Sequence, residues 1–396
     1  MKKLVLSTAV ALAMGSVAST ATAADDIKLG VFLGFTGPIE STVANMGPAA
    51  EQAIAEVSES GKLLDGIKVE AVRADTTCVD AAAATAAIER LITSDKVAGV
   101  IGGDCSGVTT AALTNVAVPN GMVMISPSAT SPALSTVEDN GFFFRTAPSD
   151  ARQGVVMTEI ITDKGIKEVA LTYTNNDYGK GLADAFQTAF EASGGTVTIS
   201  AAHEDGKADY AAEVGALASA GGEVLVVAGY LDQGGKGIIQ GSLDTGAFDT
   251  FVLPDGMAGD SLPEAIGPDL DGSFGQTPGT DSEGAGKLAD MADGYDGSSP
   301  FAAESYDAAA LIMLAMQAAG STDPNDYKDK VMDVANAPGE QIFPGDLAKG
   351  LEILAGGGDI DYVGASNVEL IGAGESAGNY REFEIKDGAM STVGYR

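Results

Sequence analysis

From residue 27 onward, short apolar runs alternate with longer stretches in which apolar residues recur every three or four positions. Ile27–Leu33 is an apolar run closed by the turn signal GFTGP at 34–38, and Ala49, Ala50, Ala53, Ile54 and Val57 then recur at helical spacing. Residues 67–72 alternate, which predicts a strand, and the Ala-rich stretch 79–93 predicts a helix. A buried strand at 97–101, a helix at 107–118 and a strand at 121–125 follow. Near Arg145 the alternation begins afresh, with helices expected at 150–164, 179–193, 208–220 and 233–243 and strands at 168–173, 196–202 and 223–229. The segment 271–299 is rich in Gly, Asp and Ser and reads as a crossing or surface segment. A strong helix at 301–319 carries Ala309, Ile312, Met313 and Met316 on one face, and shorter helical stretches are expected around 327–335 and 346–354. The last 30 residues alternate and read as strands. This βαβα order predicts an α/β fold in two successive units, with parallel sheets covered by helices on both faces.

The first residues follow a different rule. Lys2 and Lys3 precede a mostly apolar stretch at 4–17, and Ala21-Thr22-Ala23 is an A-x-A cleavage signal. The segment 1–23 therefore reads as a secretory signal peptide cleaved after Ala23, with export to a periplasm as the expectation. No other apolar run approaches the ~20 residues that a span needs, so no membrane insertion is expected. An exported chain with two cysteines, Cys78 and Cys105, suggests a disulfide, the alternative being a reactive thiol. With 22 Lys+Arg against 56 Asp+Glu, the net charge is −34. Such a chain has little room for the basic face that nucleic acid or an anionic membrane requires. The same excess suits a saline habitat, where salt screens self-repulsion.

Open parallel sheets bind ligands at the carboxyl ends of their strands. After the strand at 97–101 comes GGDCSG (102–107), where Ser106 occupies an N-cap position; it is either a plain cap or part of an anion site. After 121–125 comes SPSATSP (126–132), bringing Ser128, Ala129 and Thr130 to the same edge. Tyr178 follows the strand at 168–173, Tyr230 follows the strand at 223–229, and Asp255 lies in a Pro-Asp-Gly turn after 251–253. Each taken alone is equally a turn or packing residue.

The ordered set of motifs resembles the periplasmic solute-binding proteins of the branched-chain amino acid (Leu/Ile/Val) type. It comprises IKLGVFLGFTGP, the pair Cys78/Cys105, VIGGDCSG, MISPSATSPAL, FFFRTAPSD, NNDYGKGLA, AGY at 228–230, LPDG at 253–256, AAESYDAAALIMLA and IDYVGAS. The resemblance implies a type I periplasmic-binding-protein fold: two Rossmann-like lobes joined by a three-strand hinge, closing on an amino acid. It places lobe 1 at 24–147 and 278–362 and lobe 2 at 148–277 and 363–396. By the same resemblance, Ser106 and Thr130, with backbone at Ser128 and Ala129, hold the ligand carboxylate. Asp255 holds the ammonium, Tyr178 and Tyr230 form the wall, and Cys78–Cys105 is the disulfide. The partners implied are the permease and ATPase subunits of an ABC importer, with the protein a monomer. Three differences, Thr42 in place of an aromatic, Asp104 before the cysteine and the shorter Asp255, point to a polar, small or cationic amino acid, with Asp104 on its side chain. The runner-up is an amide, urea or small carboxylate on the same fold, or a chemosensory role.

The rival class is an enzyme. Gly103-x-Cys105-x-Gly107 imitates a nucleophile elbow, and a cysteine hydrolase would call on the single histidine, His203, which otherwise reads as an exposed strand-end residue. No P-loop, zinc spacing or EF-hand order is present, and no cofactor or metal is expected.

Overall fold

The computed structural model describes residues 26–396. The expected signal peptide and its cleavage point after Ala23 lie outside them.

The strands and helices of the first half alternate, except that β5 follows β4 directly. They are β1 (Ile27–Leu33), α1 (Glu40–Ser60), β2 (Val69–Asp75), α2 (Ala81–Arg90), β3 (Val100–Gly102), α3 (Ser106–Ala112), β4 (Met124–Ser126) and β5 (Phe143–Pro148). Next come α4 (Asp150–Asp163), β6 (Glu168–Thr174), α5 (Asp177–Ala192), β7 (Thr196–His203), α6 (Ala211–Ala220), β8 (Val224–Ala228), α7 (Gly234–Thr245), β9 (Phe251–Leu253), α8 (Ser261–Ile266) and β10 (Phe274–Pro278). The remainder is α9 (Glu283–Met291), α10 (Ala302–Ala319), α11 (Pro324–Tyr327), α12 (Val331–Ala335), β11 (Glu340–Ile342), α13 (Leu347–Ala355), β12 (Ile360–Tyr362), β13 (Leu370–Ile371), β14 (Glu375–Ser376), β15 (Tyr380–Lys386) and β16 (Ala389–Tyr395).

Two seven-stranded sheets result, ordered β13-β14-β5-β4-β3-β1-β2 and β16-β15-β10-β9-β8-β6-β7. Each contains the doubly wound order 2-1-3-4-5, counting its own five parallel strands. Central strands such as VLVVA in β8 are buried at every position, as a sheet covered on both faces demands. In such a sheet the loops leave in opposite directions at the switch point, opening a crevice between the first and third strands. That crevice lies after β1 and β3 in one lobe and after β6 and β8 in the other.

The chain crosses between sheets after Pro148, after Pro278 and between Ser376 and Tyr380. The crossings lie side by side. Ser376 pairs with Pro148, and Pro278 pairs with Tyr380. Gly378 has φ 89° and turns so close to Pro148 that a Cβ there would sit 2.6 Å from the proline Cβ. The third crossing comes later than the expected boundary at 363, because β13 and β14 still pair in the first sheet. These are two-residue strands, too short to show alternation; the pairing of β14 with β5, and of β13 with β14, rather than any period decides their sheet. The segment 271–299 also differs from expectation. It holds the fully buried strand β10 and the helix α9, which its Gly, Gln and Thr content conceals.

Helix α10 is buried around its whole circumference from Glu304 to Gln317, as an Ala-rich helix wedged into a core can be. Its Asp307 accepts hydrogen bonds from Tyr362 Oη (2.8 Å), Ala365 N (2.8 Å), Ser366 N (2.7 Å) and Ser366 Oγ (2.6 Å). The two late sequence motifs therefore meet each other, and their shared task is to pin a loop to α10. Glu304, 3% exposed in the first turn of α10, lies at the hinge facing Asp307 and, from β15 of the other lobe, Arg381. Burial pushes its carboxyl up to about 7, with Asp307 adding to the rise and Arg381 opposing it.

A carboxyl raised by folding is paid for in stability as pH climbs from its unfolded range near 4.5 through 7. Glu304→Gln should therefore be more stable than wild type at pH 8 by up to about 3 kcal/mol. In urea melts the difference should vanish by about pH 4.5; a difference independent of pH would contradict this role.

Candidate functional site

The crevice between the sheets holds a small cavity lined by Ile39, Thr42, Asp104, Cys105, Ser106, Ser128, Tyr178, Tyr230, Asp255, Gly256 and Phe301. The residues come from the strand-end loops that the topology brings together. No lysine, arginine or histidine is among them.

The first lobe contributes the loop after β3 and the loop after β4. Gly102 has φ 135°, and a Cβ there would lie 2.0 Å from the Phe32 carbonyl oxygen, so only glycine lets β3 turn here. Cys105 is the N-cap and Ser106 opens α3, one position later than expected. The Ser106 hydroxyl accepts from Ser131 N at 3.1 Å, which ties the two loops together. Ser128 Oγ donates to the Asp104 carbonyl at 3.1 Å. Cys78 and Cys105 form a disulfide across a 27-residue separation, worth about 3.5 kcal/mol on the chain-entropy account. It rivets the loop after β2 to the loop carrying Ser106 and leaves Cys105 no thiolate for catalysis. Cys78, Asp104 and Cys105 also form the one close trio of potential metal ligands among the described residues, and its sulfurs are spent in that bond.

Asp104 lines the cavity, yet its carboxylate is already engaged. It accepts from Gly34 N (2.8 Å) and Thr76 Oγ1 (2.7 Å), joining the loops after β1, β2 and β3. Burial raises its pKa and those two bonds oppose the rise. Asp104 therefore braces three loops as well as lining the cavity where a ligand contact was expected.

Arg145 is the main brace of the 126–135 loop. It is 1% exposed, and its guanidinium donates to the carbonyls of Ala129 (3.0 Å) and Ser131 (2.9 Å), to Ser135 Oγ (2.7 Å) and to Glu375 (2.5 Å). Ala129 and Thr130, both expected at the ligand, are not among the lining residues. The carbonyl of Ala129 belongs to Arg145, and the buried Thr130 hydroxyl has no hydrogen-bond partner and faces Asp150.

The second lobe supplies Tyr178, Tyr230 and Asp255. The two tyrosine rings stack with centroids 5.2 Å apart. Tyr178 Oη donates to Asp255 Oδ1 at 2.6 Å, and Gly256 N donates to the same oxygen at 2.8 Å. A Cβ at Gly256 would fall 2.6 Å from the Gly229 carbonyl and 2.7 Å from Tyr178 Oη. Asp150, absent from the sequence expectations, opens α4 beside this group. It is 0% exposed and neither carboxylate oxygen has a hydrogen-bond partner. Burial first, and then the Asp255 charge, push its pKa well up, while burial raises that of Asp255 against the Tyr178 bond. Gln153, one turn on, is buried next to Asp255 with its amide unpaired. Sequence alone made Asp150 an ordinary acidic first-turn residue. Phe301 was legible only as a helix start, and its φ of 62° sets its place at the cavity.

His203 is buried rather than exposed. Its ring packs edge-on against Tyr210, Nδ1 lies 2.9 Å from Thr172 Oγ1, and burial lowers its pKa to about 4. It serves the packing of the second lobe as a neutral imidazole.

Loss of Arg145 should be severe, because Glu375 and two loop carbonyls are left without their donor. Arg145→Met is expected to cost about 3–5 kcal/mol in chemical denaturation, and Arg145→Lys to recover only part of it, lacking the fork. A loss under 1 kcal/mol would show that the brace is dispensable.

Comparison with known proteins agrees with the geometry. The description of the family named periplasmic binding protein matches residues 26–344. A Leu/Ile/Val-binding protein homolog of Brucella melitensis is 30% identical over 308 residues, 76% of this chain and 81% of that protein. A substrate-binding protein of a chemotactic signal transduction system in Halobacterium salinarum is 26% identical over 391 residues, covering 93% of this chain and 89% of its own length. Among solved structures, a leucine-binding protein of Thermotoga maritima superposes with a TM-score of 0.77 at 22% identity, covering 93% of this chain and 98% of that one. A solute-binding protein of Rhodopseudomonas palustris in complex with p-hydroxybenzoic acid gives 0.75 at 19%, covering 94% and 97%. With two doubly wound lobes, a three-crossing hinge and a cavity walled by both, this chain belongs to the periplasmic binding protein family, in its branched-chain amino acid branch, and has a solute-binding role.

Proposed function

We propose that this chain binds a small zwitterionic amino acid between its lobes and delivers it, in the periplasm, to the permease and ATPase subunits of an ABC importer. The observation that carries this reading is Asp255 in the cavity wall, with Asp150, not itself a lining residue, buried beside it and unpartnered, and no cation lining the cavity. Two buried carboxylates so placed call for a positive ligand group, because burial without compensation is costly. An ammonium seated there offers three donors, and Tyr178 is positioned to share it. The ligand carboxylate falls to the opposite wall, on the Ser106 hydroxyl, the backbone at Ser128 and the amides that open α3. Asp104 braces the loops around this wall. The stacked Tyr178 and Tyr230, with Ile39, Thr42 and Phe301, are the candidate contacts for the side chain. No chemical step is assigned.

A second reading concerns the use made of closure. The Halobacterium salinarum relative, which this chain matches over 93% of its length, is named as part of a chemotactic system. Presentation of the closed form to a receptor is therefore the alternative to delivery for import.

Thermal unfolding against common L-amino acids and their amine-free analogues tests the ligand class. An L-amino acid at 100 times its Kd should stabilise the chain by about 2.7 kcal/mol. The matching amine-free acid, such as 4-methylpentanoate beside leucine, should give no shift, and Asp255→Asn and Asp150→Asn should each abolish the response. A shift with the amine-free acids alone would overturn the zwitterion reading.

A further inference from the structure

Helix α1 begins at the mouth of the cleft without a cap of its own. Its N-cap residue is Ile39, which has no side-chain acceptor to offer the first-turn amides. Such amides need an acceptor, and the helix dipole makes an anion the best one. Here the acceptor comes from the other lobe. Asp232, two residues beyond Tyr230, accepts from Ser41 N at 3.0 Å and from Ser41 Oγ at 2.7 Å. Its other oxygen accepts from Ser261 Oγ at 3.0 Å, and its own backbone N donates to the Pro38 carbonyl at 3.1 Å. Ser41 Oγ and Ser261 Oγ are 3.1 Å apart, which closes the ring of partners.

We infer that Asp232 is a closure latch: a helix cap supplied in trans, which stabilises the closed form without being among the residues that line the ligand cavity. The inference rests on the reading of the cleft as a closing binding site. Ser41 belongs to the first lobe, whereas Asp232 and Ser261 belong to the second, so these bonds exist only while the lobes meet. When the lobes part, the Ser41 amide and the Asp232 carboxylate must both return to water. The next residue, Thr42, and the earlier neighbour Tyr230 both line the cavity. The latch thus ties a ligand-facing segment of one lobe to a ligand-facing segment of the other. Loss of the latch should raise the rate of opening, and with it ligand release, while leaving encounter with the open cleft unchanged.

Full-length wild type, Asp232→Asn, Asp232→Ala, Ser41→Ala and the double variant Ser41→Ala/Asp232→Ala provide the test. Hydrogen exchange over residues 38–46, measured on the protein saturated with L-leucine, reads the latch directly. The Ser41 amide should exchange about tenfold faster in Asp232→Ala, with Asp232→Asn in between, since the amide keeps one acceptor oxygen but loses the charge. Stopped-flow release of L-leucine should be about tenfold faster in Asp232→Ala with an association rate within about twofold of wild type. The double variant should be no worse than Asp232→Ala, because both substitutions break the same contact. Ser41 exchange that is unchanged by Asp232→Ala would overturn the latch, as would release effects that simply add. Failure of wild type to bind leucine or any other amino acid would instead overturn the ligand reading, and the same exchange comparison with the amine-free acid that does stabilise the chain would then decide the latch.

Discussion

Two carboxylates buried side by side set the terms for the rest of this structure. Asp150 and Asp255 are both removed from water, the Asp255 charge adds to the cost of ionising Asp150, and the Arg145 guanidinium is committed elsewhere. Closing the lobes over such a pair costs free energy unless a cation closes with them. Selectivity and the drive to close therefore have a common origin: a ligand that brings a positive group is the one that makes the closed form favourable.

Other buried charges in the molecule are treated in the opposite way. Asp307 has four donors, Asp104 has two, and Arg145 divides its fork among two carbonyls, a hydroxyl and a carboxylate. Each holds a loop against an element that cannot move. A saturated buried charge is a structural pin, because breaking one bond leaves a group that nothing else satisfies. Asp150, whose oxygens have no partner, stands out against that background. The disulfide adds a covalent brace on the same wall, so that the hydroxyls of Ser106 and Ser128 are held in place before a ligand arrives.

Much of this was legible in the chain itself. The regular alternation from β1 to β9 gave two parallel sheets, and the strand-end rule pointed to Ser106, Ser128, Tyr178, Tyr230 and Asp255, all of which the fold brings to one cavity. What escaped notice has physical reasons. Strand β10 is buried but reads FGQTP, so no apolar period marks it. Strands β13 and β14 are two residues each, and only the pairing of β14 with β5, with β13 added beside β14, assigns them to the first lobe. Asp150 carries the look of a common first-turn acid, and its lack of partners is a tertiary property. His203 precedes two acids in sequence yet packs against Tyr210 in space. Asp104 faces the cavity, but its bonds run backward to Gly34 and Thr76, a direction that sequence does not record.

The most direct test of the account is the proton balance of binding. Asp150 and Asp255, held up by burial and, at Asp150, by the Asp255 charge, should ionise more fully when an ammonium arrives between them. Calorimetric titration of L-leucine near pH 5.5, in two buffers of different ionisation enthalpy, measures the protons exchanged. The account predicts net proton release that disappears in Asp150→Asn, with affinity rising as pH increases through the carboxylate range. Binding with no proton exchanged, or with proton uptake, would contradict it.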